Sequence, residues 1–150
     1  TATGGISAGN AADSRIMIDT VELSAVNVLA LRATPITLVA SPGANKFVEV
    51  IQVVLILDYG TGAYTVDADD DLVIEYASGQ DITGSIECTG FMDQVADTMK
   101  LVNVAGIAAV PAANISNNLV RLKNTGASEL TVGDGTVTVK VSYRVHADGL

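Results

Sequence analysis

A chain of 150 residues that is 49% hydrophobic but only 4% aromatic reads as one domain with a core of Val, Ile, Leu and Ala. At that size it can bury roughly 68–70% of its unfolded surface, so it needs neither disulfides nor a structural metal. Seventeen acidic residues against eight basic ones give a formal charge of −9, which repels phosphate backbones and anionic lipid and so excludes nucleic-acid and membrane partners.

Residues 1–13 are mostly Gly, Ala, Ser, Thr and Asn, with little to bury. By itself such a stretch does not fold, so it is expected to be a flexible N-terminal arm, either a plain tail or a segment that orders on a neighbour. It has no basic or apolar signal region, and Thr1 is expected to follow loss of an initiator methionine. The rest, residues 14–150, is expected to form a single domain. Residues 15–23, RIMIDTVEL, alternate as a strand with a slip at Asp19-Thr20 that predicts a bulge. Ser24 then caps a short helix over residues 25–31. Pro35 opens a strand over 36–40, and Ser41-Pro42-Gly43-Ala44 is a turn, since Pro presets φ and Gly accepts φ > 0.

Residues 47–58, FVEVIQVVLILD, form the dominant stretch: β-branched-rich, without Gly or Pro, and so a long strand. Under strict alternation one face carries Phe47, Ile51, Val53, Leu55 and Leu57, broken by Glu49. The other carries Val48, Val50, Val54 and Ile56, broken by Gln52. A strand wet on one side alternates apolar and polar. This one is apolar on both, so cover is expected on both: a second sheet on one side, and a helix, a loop or another subunit on the other.

Further strands are expected over 72–76, 82–88, 98–104 and 119–124, with a short edge strand over 129–132. Residues 90–97 read as a loop or short helix carrying Phe91 and Met92, and 105–118 as a small-residue loop. Gly133-Asp134-Gly135 reads as a hairpin turn. The last strand, 136–146, places Val137, Val139, Val141, Tyr143 and Val145 on one face and Thr136, Thr138, Lys140, Ser142, Arg144 and His146 on the other, the pattern of a half-exposed antiparallel strand. About eight or nine strands with turns every 8–12 residues predict an all-β antiparallel β-sandwich, jelly-roll-like.

Motifs for chemistry are scarce. Gly5-Ile6-Ser7-Ala8-Gly9 has the letters of a nucleophile elbow but lacks the strand before it. His146 is the only histidine and sits on the outward face of the last strand, without the oriented partner that acid–base catalysis needs. Cys88 cannot form an intrachain disulfide, which fits an intracellular origin, and a zinc site on Cys88 and His146 would lack two ligands. The acidic run 67–71 invites calcium, but Leu72 and Ser78 stand where an EF-hand needs Gly and Glu, so a solvated acidic turn is the default. Gly60-Thr61-Gly62 and Gly133-Asp134-Gly135 lack the Lys and the helix of a phosphate loop. The sequence predicts no enzyme, no cofactor and no metal.

Residues 36–65, ITLVASPGANKFVEVIQVVLILDYGTGAYT, resemble a group of small tailed-phage virion proteins. The shared pattern is a Pro42-Gly43-Ala44 turn, a long apolar strand, and the turn Tyr59-Gly60-Thr61-Gly62-Ala63-Tyr64. LVRLKN at 119–124 and GDGTVTVKVSYRV at 133–145 continue it, with Asn45 a departure where Gly is expected. The resemblance implies a capsid decoration (cement) protein on the outer shell, a homo-oligomer of trimeric kind, whose partners are the major capsid protein and copies of itself. Under that reading Phe47, Glu49, Ile51, Gln52, Val54 and Ile56 are self-association candidates, and Thr1, Ala2, Ile6, Ser7 and Asn10 belong to a capsid-binding arm. The alternative is a receptor- or glycan-binding module of a head or tail fibre, reading its ligand through loops 59–71 and 106–118.

Overall fold

The computed structural model describes residues 15–104 and 109–149. The arm candidates Thr1, Ala2, Ile6, Ser7 and Asn10 lie outside these residues. Two four-stranded antiparallel sheets make the body. The first contains β1 (Met17–Leu23), β3 (Lys46–Asp58), β7 (Thr98–Val102) and β10 (Thr136–Ala147), ordered β1-β10-β3-β7. The second contains β2 (Ile36–Val39), β5 (Asp71–Tyr76), β6 (Ile86–Glu87) and β8 (Val120–Asn124), ordered β2-β8-β5-β6. The chain crosses repeatedly between them, and eight strands wound in this order fit a jelly roll. A small third ladder joins β4 (Tyr64–Thr65) to β9 (Thr131–Val132).

The core lies between the sheets and is aliphatic, as the composition requires: Val48, Val53, Leu55, Leu57, Leu72, Ile74, Leu122, Val139 and Val141 are all buried. Phe91 and Met92 plug the core from the turns after β6. Tyr76 crosses from the second sheet to donate its hydroxyl to the Val48 carbonyl at 2.5 Å. Ser24 caps a one-turn helix, α1 (Ala25–Val28), in a reciprocal capping box with Asn27. The capping reading holds, although the helix ends sooner than 31.

Several expectations are corrected. β1 pairs with β10 in unbroken register from Met17 to Leu23, so there is no bulge at Asp19-Thr20. The bulge is in β3. Gln52 stands opposite Ser142 and Val50 opposite Tyr143, leaving Ile51 without a partner. An extra residue reverses the side-chain parity of a strand. Val48 and Val50 therefore share the buried face with Val53, Leu55 and Leu57, while Phe47, Glu49, Val54 and Ile56 face out. Strict alternation mixes these two sets.

Gly133-Asp134-Gly135 does not close a hairpin either, because β9 pairs with β4 rather than β10. Asp134 instead reaches into the loop after β3, accepting from the Thr61 amide (2.7 Å), the Thr61 hydroxyl (2.5 Å) and the Gly62 amide (2.8 Å). A Cβ on Gly133 would run into the Tyr64 ring, so the turn requires glycine there. The strand expected over 82–88 is reduced to Ile86–Glu87 plus isolated bridges at Asp81 and Thr83, and a 3-10 turn, Ala112–Asn114, appears inside the expected loop.

Candidate docking face

The outer face of the first sheet is organised in rows that follow from the register. Glu22, Thr138, Ile56 and Met99 form one row across the four strands. Thr20, Lys140, Val54 and Leu101 form the next. Ile18, Ser142 and Gln52 follow, then Arg144 opposite Glu49 and His146 opposite Phe47. Alternation about the bulge puts these side chains on one side, so the face is built by pairing rather than by any loop.

The face has two halves. Val54 and Ile56 on β3 meet Leu101 and Met99 on β7; the β7 pair is open, Met99 67% and Leu101 69% exposed, while Val54 and Ile56 are half-buried. Beside it Ile56, Met99, Thr138 and Asp58 line a hollow of about 370 Å³. The second half is polar. His146 Nε2 lies 2.7 Å from a Glu49 carboxylate oxygen, and the imidazole stacks on the Phe47 ring at 5.1 Å between centroids. His146, expected on the outward face without a partner, is thus a half-buried member of a cluster. Beside it, buried Arg144 Nε has no hydrogen-bond partner.

The expectation of cover on both sides of the long strand is met on one. The second sheet covers the inner side; on the outer side Met99 and Leu101 stand open among the described residues. Five of the six self-association candidates, Phe47, Glu49, Gln52, Val54 and Ile56, are brought to this outer face, and Ile51 is the unpaired bulge residue. Sequence reasoning missed Met99 and Leu101. In TMKLV the usual assumption sends the lysine outward. Here Lys100 points inward, its amine donating to the Glu87 carbonyl at 2.7 Å and lying 6.0 Å from the Phe91 ring centre, so its two apolar neighbours face solvent.

The other candidates are occupied structurally. Burial, reinforced by Asp71, Asp70 and Glu87, pushes the Cys88 thiol up to about 12, so no thiolate forms near neutral pH. In the acidic run Asp67 accepts from the Ser128 hydroxyl and Asp69 from the Ala127 amide, two bonds that clamp the turn after β8, while Asp70 accepts from the Asp67 amide within the run. Among the described residues no group of three His, Cys, Asp or Glu side chains is placed to hold a metal ion. No helix of the described residues is long and apolar enough to cross a membrane.

No protein-family model matches the chain, and no curated protein matches it. Among solved structures, a chain described as the cyanophage Pam1 capsid asymmetric unit aligns with a TM-score of 0.48 and 16% identity, covering 87% of this chain and 83% of that one.

Proposed function

We propose that the protein is a structural component of a tailed-phage virion that decorates the outer capsid surface and stabilises it by bridging neighbouring capsomers, without catalysis. The observation that carries this is the apolar cluster of half-buried Val54 and Ile56 with exposed Met99 and Leu101, on a sheet whose other face is sealed. Large contiguous apolar exposure on a rigid body marks a surface made to be covered. The tailed-phage resemblance of the turns at Pro42-Gly43-Ala44 and Tyr59–Tyr64 and of the last two long strands supports it. The second of these turns is held rigid by Asp134. The partners under this reading are the major capsid protein and further copies of the chain, in a homo-oligomer of the trimeric kind that the resemblance implies.

The test is direct. Purified protein is mixed with expanded capsid shells that lack it, and the mixture is sedimented. Saturable co-sedimentation and a raised melting temperature of the shells are expected. Failure to bind, with the protein folded, removes the reading.

A further inference from the structure

We infer that the free edge of β1 is a contact for a second copy of this chain. The two β1 strands run antiparallel about a two-fold axis at Met17 and join the first sheets of both copies into one. This goes beyond the virion reading and uses none of the β3 or β7 residues on which that reading rests.

β1 ends the first sheet, and among the described residues its outer edge pairs with nothing. A sheet edge presents a row of unpaired N–H and C=O groups that another strand can complete. The other three edges are short or interrupted. β6 has two residues, β2 has four with a register shift between Thr37 and Val39, and β7 has five around the inward Lys100. β1 runs seven residues in unbroken register, without proline. Along it Ile16 is 52% and Ile18 64% exposed.

The side chains select the occupant. Residues 15–19 read Arg-Ile-Met-Ile-Asp, a stretch whose charge reverses about its centre. Laid antiparallel on its own copy, it sets Arg15 opposite Asp19, Ile16 opposite Ile18 and Met17 opposite Met17. Opposite charges and apolar pairs in these positions stabilise a ladder. Opposite residues share a side of the sheet, so the four isoleucines cluster on the outer side and the charges meet on the inner one. Moving the axis to Asp19 would set two carboxylates face to face. Moving it to Ile18 would leave Asp19 opposite Met17 and Arg15 opposite Val21.

Asp19 also discriminates against other strands. An inward charge on an edge strand discourages pairing, because pairing covers the charge. Asp19 is half-buried there, accepting from the Tyr143 hydroxyl at 3.1 Å. A second copy brings Arg15 to that carboxylate; a strand without a cation in register leaves it covered and unanswered. Such self-complementarity is what a two-fold contact requires. Five rungs cover far less than the ~800 Å² per partner of a standard interface, so the pair is expected to be weak and to form at high concentration.

Sedimentation velocity of the full chain over a wide range of concentrations tests the contact, with Arg15→Asp and Asp19→Arg alongside. The wild-type protein should move toward a species of twice the mass as concentration rises. Each variant sets like charges opposite each other and should weaken that step about tenfold or more. Mixing the two variants restores both opposite-charge pairs and should return the association. Cross-linking reads the register. Residues 16 and 18 of opposite copies would lie about 4.5–5.5 Å apart at Cα, within disulfide reach, whereas 16 with 16 or 18 with 18 would be diagonal, about 7–8 Å apart. Ile16→Cys mixed with Ile18→Cys should therefore cross-link under a mild oxidant, and neither should alone; native Cys88 is buried and takes no part. Arg15, Ile16 and Ile18 are exposed, so Arg15→Asp and the cysteine pair decide the matter even where loss of the Asp19–Tyr143 bond unfolds Asp19→Arg.

Four results overturn the inference: a wild-type protein that never doubles, an Arg15→Asp protein that associates as well as wild type, folded charge variants whose mixture does no better than its components, or a single cysteine variant that cross-links as fast as the mixture. Capsid-shell binding on the same samples separates this from the virion reading. Shell binding by a wild type that never doubles keeps the virion reading and sinks the inference. Doubling without shell binding does the reverse.

Discussion

The two faces of the first sheet are made by the same four strands yet follow different rules. The inner one is Val48, Val50, Val53, Leu55 and Leu57 against Val137, Val139 and Val141, closed by the second sheet. The outer one alternates apolar, cationic, anionic and hydroxyl side chains in rows, with its largest hydrophobes at one edge. Packing alone accounts for the inner composition. It does not account for Met99 and Leu101, which stand 67% and 69% exposed at the edge of the sheet. The contrast separates residues kept for the fold from residues available for a partner.

Substitutions should therefore divide cleanly by face. Leu55→Ala, at the centre of the inner face, should cost about 2–5 kcal/mol in denaturant unfolding, through lost transfer energy and the cavity left behind. Tyr76→Phe removes the hydroxyl that satisfies the buried Val48 carbonyl and should cost about 1–3 kcal/mol. The same tyrosine sets a pH signature. Burial, with Glu49 nearby, pushes its hydroxyl up from 10.0 to about 12, and burial with Asp134 does the same for Tyr64. A raised folded pKa stabilises below the unfolded value, so stability should be full below pH 10 and fall as pH rises toward about 12, with Tyr76→Phe flattening part of that slope.

Asp134 is a local case. The Thr61 hydroxyl, then the Gly62 and Thr61 amides, hold its carboxyl below the usual 3.8. Its contribution is present above that pH and lost as pH falls through the lower folded value. Asp134→Ala should expose the 61–62 amides to hydrogen exchange at neutral pH, as acid does for the wild type, with the sandwich intact. The smallest effect belongs to the outer face. Leu101→Ser should change monomer stability by no more than about 0.5 kcal/mol, since the side chain is 69% exposed. A large loss there would dissolve the distinction between the faces.

Much of the sandwich was legible from pattern. β10 reads directly, because Val137 to Val145 alternate with Thr, Lys, Ser, Arg and His without interruption and the structure keeps that parity. The Ser24 cap was legible because its short side chain precedes the helix and its reciprocal partner Asn27 lies three residues on. β3 was legible as a strand but not as faces. Ile51 and Gln52 differ in polarity, so nothing local marks the extra residue; the bulge appears only when twelve residues of β10 are laid against thirteen of β3. β9 lies inside the short edge strand expected over 129–132, but its partner β4 escaped notice because two residues carry no period, and the Gly-Asp-Gly turn pointed to the wrong pairing. Met99 and Leu101 were hidden by Lys100, whose aliphatic stem lets a charged group point inward when a carbonyl and an aromatic ring receive its amine.

The unpaired isoleucine of β3 has a genetic corollary. Loss of the codon for Ile51 would join Val50, inward, to Gln52, outward, and restore plain alternation with every other residue still on its own side. Loss of a neighbouring codon such as that for Val54 would instead turn half of the strand inside out. The middle of the longest strand, ordinarily the last place to tolerate a frame-preserving deletion, here contains one triplet that the sheet can spare, and sequences that diverge from this chain are expected to differ in length at that point.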